Sequence, residues 1–188
     1  WPEGTGMMAS TGLFPTCCTV RTFCRMAVGV ALFSWVGPPL DAYGAMVTVD
    51  GLDTVMDANN LSSIAAIVND PGSDGKISLA EAIAAANNDT ADPFDTILFG
   101  VSSINITGDL PVIVSRMVID GSTMNPILNG SGYSGTAVFE LTNGSNSSEI
   151  KSLRIENSLT TAILARGDTV SCIFRDLVIV GNAQGIEF

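Results

Sequence analysis

"SLRIENSLTTAILARGDTVSCIFRDLVIVGN", residues 152–182, contains two strand-like patterns that each return. "SLRIEN" (152–157) and "DLVIVGN" (176–182) are alike, and Leu153 to Leu177 is a step of 24 residues. Working outward, "TAVFELTN" resembles "TAILARGD", with Ala137 to Ala162 a step of 25, and "GIEF" at the end of the chain starts a further copy. "RMVIDG" (116–121) reads as an earlier copy of the first kind, one longer coil upstream. Two interleaved strand types recurring at nearly one step are what a solenoid of parallel strands requires, because each coil brings the chain back onto the previous one. A β-sandwich, the competing architecture, does not predict such a step.

A parallel solenoid stacks inward side chains into apolar columns and leaves outward positions to water. The pattern predicts Ile119, Ile155 and Ile179 in one inward column, with Val118, Arg154 and Val178 pointing out. Asn157 and Asn182 follow strands of the same type. They read equally as an asparagine stack or as residues that tolerate turn geometry. The strand candidates from Asp95 onward are "DTILF", "SINIT", "RMVIDG", "AVFELTN", "SLRIEN", "AILARGD", "DLVIVGN" and "GIEF".

Upstream, "NDPGSDGKISLAEAIAAANN" (69–88) supports two readings. Asp70, Asp74, Gly75 and Glu81 fall at the first, fifth, sixth and twelfth places of an EF-hand loop, which makes Asp70, Asp74 and Glu81 candidate calcium ligands. Against this, Gly72 stands where a third oxygen ligand belongs, and Pro71 stiffens the loop entry. Leu61, Ile64, Ala65 and Val68 supply a candidate entering helix. The second reading is a helix start: Ser78 and Glu81 form a Ser-x-x-Glu capping box, followed by an apolar face of Leu79, Ala82, Ile83 and Ala86. The helix start is favoured, and it gives Glu81 a role without metal.

The first 45 residues read as a leader. Arg21 and Arg25 precede the apolar run "MAVGVALFSWV", and "GPP" and "DAYGA" follow. Positive, apolar, small is the order of a secretory signal, with cleavage after Gly44 or Ala45. The alternative is a membrane anchor or buried helix. "WPEGTG" before Met7 reads as a tag, upstream read-through or a fragment edge. Cys17, Cys18 and Cys24 lie in the leader, so only Cys172 remains beyond it and no disulfide framework is expected. The expected organisation is a leader over 1–45, an N-terminal segment with the capping helix over 46–94, and coils over 95–188. The coils are expected to continue past Phe188.

Composition narrows function. The chain has 188 residues, 46% of them hydrophobic, which suffices for a continuous core. Its net charge of −11 and its lack of a basic stripe disfavour nucleic acid as a partner. It has no histidine, which removes histidine-based triads, metal sites and acid–base chemistry.

"DGKISLAEAIAAANN", then "DTILF", then "SINITGDLPVIVSRMVIDG" resembles the N-terminal region of secreted right-handed parallel β-helix proteins. These include polymorphic outer-membrane and autotransporter-type surface proteins and, more distantly, pectate-lyase-like β-helices. Ser78, Leu79, Glu81, Ala82, Ile83 and Asn87 match the family's helix motif, with Ala80 where arginine is usual and Ile77 where cysteine often stands. Asp95, Thr96, Ile97 and Phe99 match its strand, and Ile119, Asp120 and Gly121 its third element. The resemblance implies an all-β, right-handed parallel β-helix whose helix 78–87 caps the N-terminal end.

Three functions follow as expectations. The first is a secreted or cell-surface structural and adhesive solenoid. It would bind extracellular glycans or surface proteins, and associate with an outer membrane or cell wall through sequence beyond Phe188. The second is a polysaccharide lyase or hydrolase, for which Arg154, Glu156, Arg166, Asp168, Arg175 and Asp176 offer the residue types but no recognisable motif. The third is a calcium-binding protein through Asp70, Asp74 and Glu81; apart from calcium, no cofactor is implied. Six Asn-x-Ser/Thr sequons read as a product of a turn composition rich in Asn, Ser and Thr.

Overall fold

A computed structural model describes residues 44–91, 94–167 and 171–188. The chain divides into two units, Trp1–Val36 and Gly37–Phe188, and the described residues belong to the second. The leader reading therefore lies almost wholly outside the described residues.

The described chain is mostly β, a parallel solenoid of about four turns with two short helices. In chain order the elements are β1 (Met46–Val49), α1 (Ile64–Asn69), α2 (Leu79–Asn88), β2 (Asp95–Phe99), β3 (Ser103–Asn105), β4 (Met117–Asp120), β5 (Ile127–Asn129), β6 (Ala137–Leu141), β7 (Glu149–Glu156), β8 (Thr161–Ala165), β9 (Ile173–Val180) and β10 (Gln184–Glu187). Every strand pairing is parallel, which excludes the sandwich. All eight strand candidates of the sequence lie on strands. Two strands went unread: β1, next to the leader, and β5, only three residues long. The first strand of the solenoid among the described residues is thus β1, which pairs with β2.

Strand register defines three inward columns. Val47, Ile97, Ile119, Ile150 and Phe174 form the first. Ile104, Leu128, Ile155 and Ile179 form the second. Phe139, Ile163 and Ile186 form the third. Up to Ile163 every member is at most 2% exposed, whereas Phe174 and Ile179 are half-buried and Ile186 is exposed. Strands such as β2 and β4 alternate strictly between buried and half-buried positions, as a pleat with one wet face must. Each fully buried Ile, Leu or Phe contributes about 1.5–3 kcal/mol of apolar transfer.

Two sequence expectations need correction. Ile119 does not share a column with Ile155 and Ile179: it pairs with Ile150, while Leu128 precedes Ile155. The cause is that β7 pairs with two different strands of one sheet. Its first half pairs with β4 and its second with β5, and Ser152 between them turns the strand through a left-handed backbone with φ 55°. Asp176 repeats this corner in β9 with φ 54°. Register places Gly121 at the same corner one coil earlier, where a Cβ would lie 2.1 Å from the Ser152 carbonyl oxygen, so only glycine fits. "RMVIDG" is therefore a copy of "SEIKS", not of "SLRIEN". Likewise Ala137 pairs with Thr161, so that step is 24 residues rather than 25.

Asn157 and Asn182 do not stack on each other: Asn157 sits at φ 61° in the turn, and its Nδ2 reaches Asn129 Oδ1, one coil earlier, at 3.5 Å. Register sets Asn157 level with Gly181, and Ser158 level with Asn182. Asn182 instead closes on the preceding coil: its Nδ2 donates to the Ile155 carbonyl at 2.9 Å, and its Oδ1 accepts from the Ser158 amide at 3.0 Å.

At the N-terminal end α2 packs against β1 and β2, and α1 packs against α2 and β1. Leu79, Ala82, Ile83 and Ala86 are all buried, as are Ala80 and Ala85. In α1 the buried face is Ile64 and Ile67; Val68, expected to face inward, is exposed.

Candidate functional site

The loop before α2 is built around two carboxylates. Ser78 Oγ accepts from the Glu81 amide at 3.2 Å, and Glu81 Oε2 accepts from the Ser78 amide at 2.8 Å, completing the capping box. Glu81 Oε1 accepts two further amides, those of Asp57 and Ala58, both at 2.8 Å. Glu81 is only 1% exposed, so three backbone donors satisfy a carboxylate withdrawn from water.

Asp57 is the second carboxylate. Its Oδ2 accepts from the Ser73 hydroxyl, from the Ser73 amide at 2.9 Å and from the Asp74 amide at 3.2 Å. The Ser73 hydroxyl is the main cause of a lowered Asp57 pKa, with the Asp74 and Ser73 amides adding to it against desolvation. Gly72, at φ 98°, lets the loop wrap this group; a Cβ there would lie 2.2 Å from Asp57 Oδ1. Through its amide and its carboxylate, Asp57 ties the turn 73–74 to Glu81. Nothing in the sequence marks it, because it sits in an unpatterned loop 16 residues upstream of Ser73.

The calcium candidates are placed differently from a ligand set. Asp70 is exposed and ends α1, its amide donating to the Ala66 carbonyl. Asp74 is exposed and accepts the Lys76 amide at 2.7 Å. Glu81 is committed to the capping bonds. Among the described residues no three His, Cys, Asp or Glu side chains gather where a metal ion would be held.

The motif residue Asn87 also has a structural part. Its Nδ2 donates to the Val112 carbonyl at 2.7 Å, and its Oδ1 accepts from the Val114 and Ser115 amides at 3.0 and 3.2 Å. This fastens the end of α2 to the segment entering β4.

The described charged residues named for carbohydrate chemistry form ion pairs on the surface of the solenoid. Arg154 pairs with Glu156 on the same strand, and Arg175 pairs with Glu149 one coil earlier and with Asp176 at 3.5 Å. Arg166 pairs with Glu140 at 3.2 Å on another face. Asp168 lies outside the described residues. Asp120 and Lys151 meet at 3.0 Å. Burial would raise the Asp120 pKa, but hydrogen bonds from Ser122 and the Lys151 charge outweigh it and lower the value. Glu149 raises that of Arg175. Lys76 pairs with Asp50 at 3.2 Å, and Arg116 stacks on the Phe94 ring. Each lysine and arginine among the described residues is thus held by a carboxylate or a ring.

Outward positions align across coils as inward ones do. Ser103, Ile127, Arg154 and Val178 form one outward column, and Asn105, Asn129, Glu156 and Val180 the next. A second outward face runs along Met46, Thr96, Val118, Glu149 and Ile173.

In comparisons with protein-family models, curated proteins and solved structures, none matches this chain. The class is therefore set by the coordinates alone: a capped parallel β-solenoid.

Proposed function

We propose that the chain is a structural and adhesive solenoid of the right-handed, pectin-lyase-like kind, secreted or held at the cell surface. Its outward lattice would contact extracellular glycans or surface proteins. The observation that carries this reading is the pair of aligned outward columns, Ser103–Ile127–Arg154–Val178 and Asn105–Asn129–Glu156–Val180. Stacked strands repeat side chains every ~4.8 Å, a spacing suited to an extended partner rather than to a small molecule in a deep cleft. The engaged cations also favour a surface role, since an arginine acting as a base needs to be released from its carboxylate. Export rests on the leader pattern of Arg21, Arg25 and "MAVGVALFSWV".

The test is binding of the folded chain to an array of neutral and acidic glycans and to intact cells, beside the variant Asn105→Ala/Asn129→Ala/Glu156→Ala. Binding that the triple variant loses supports the reading. Unchanged binding in the variant overturns the assignment of the face. Release of unsaturated uronate products from an acidic polysaccharide replaces the adhesive reading with the lyase one. A leader fusion retained inside the cell removes the secreted location.

A further inference from the structure

We draw no further inference here: the strongest candidate, the exposed apolar face of the last coil along β9 and β10 with the cavity beside Arg166, Gln184 and Glu187, carries nothing because nothing in the structure shows what covers it.

Discussion

The first and last described coils are built from the same kind of strand but covered differently. At the N-terminal end α2 lies on β1 and β2, and the amides of Asp50 and Gly51, just past β1, both donate to the Ile77 carbonyl at 3.0 Å. At the other end, β9 and β10 carry exposed Ile173, Val178, Val180, Ile186 and Phe188, the last 86% exposed. Coil geometry alone therefore does not protect a solenoid strand. A strand is dry when another layer covers it, and among the described residues only the first coil has a layer that is not itself a coil.

The largest contrast between the ends should appear in amide exchange. Amides of β4 and β7 should exchange on the order of a thousandfold more slowly than those of β10, because local opening ranges from almost no cost to the full unfolding free energy. The same exposed coil should produce concentration-dependent association in sedimentation. A monodisperse monomer with β10 as protected as β4 would erase the comparison.

Side-chain truncation sharpens it. Ile155→Ala in the closed middle should cost about 2–5 kcal/mol in denaturant melts, whereas Ile179→Ala, one coil later in the same column, should cost less than half as much. Equal costs would mean that the last coil is packed as tightly as the centre.

At the closed end, Glu81→Ala should cost about 2–4 kcal/mol, since it strands three backbone amides that accept no easy substitute. Glu81→Gln, which keeps an acceptor oxygen, should cost less. Calcium or chelator should not alter either value; a calcium-dependent difference would restore the EF-hand reading. Ser78→Ala should cost about 0.5–2 kcal/mol, the worth of an N-cap.

The smallest effect concerns Asp120. Its folded pKa lies below the ordinary carboxylate range, so its stabilisation is full above that range and is lost as pH falls through the folded value. Asp120→Asn should flatten the acid limb of the stability profile by about 1 kcal/mol or less. An unchanged acid limb would show that the Ser122 and Lys151 contacts add nothing.

The capping box was fully legible because its signal is local: Ser78 and Glu81 are three residues apart, and the helix period follows at once. The pairing of Ile155 with Ile179 was legible because the two coils that hold them have equal length. Ile119 was misplaced because one unbroken run, Glu149–Glu156, contains inward residues on both sides of a corner, Ile150 before it and Leu153 and Ile155 after it. A serine at φ 55° leaves no trace in hydrophobic periodicity. The second use of the Glu81 carboxylate was invisible for another reason. Its partners Asp57 and Ala58 contribute backbone amides, which every sequence has. On the outward face, residue types were legible but partners were not. The link from Arg175 to Glu149 depends on coil length, which the sequence yields only once the register is known.

The corner of Gly121, Ser152 and Asp176 bears on how such a chain can change length. Successive members of the first inward column, from Ile97 to Ile119, Ile150 and Phe174, are 22, 31 and 24 residues apart, yet the strands stay in register. The corner takes a single residue in β7 and β9, whereas six residues, 121–126, separate β4 from β5, so slack is absorbed at that corner and in the turns. The exposed residues 122–125 of the longer corner are therefore the natural site for grafting foreign peptides, whereas one residue added between Lys151 and Leu153 would throw every later inward side chain of β7 to the wet face.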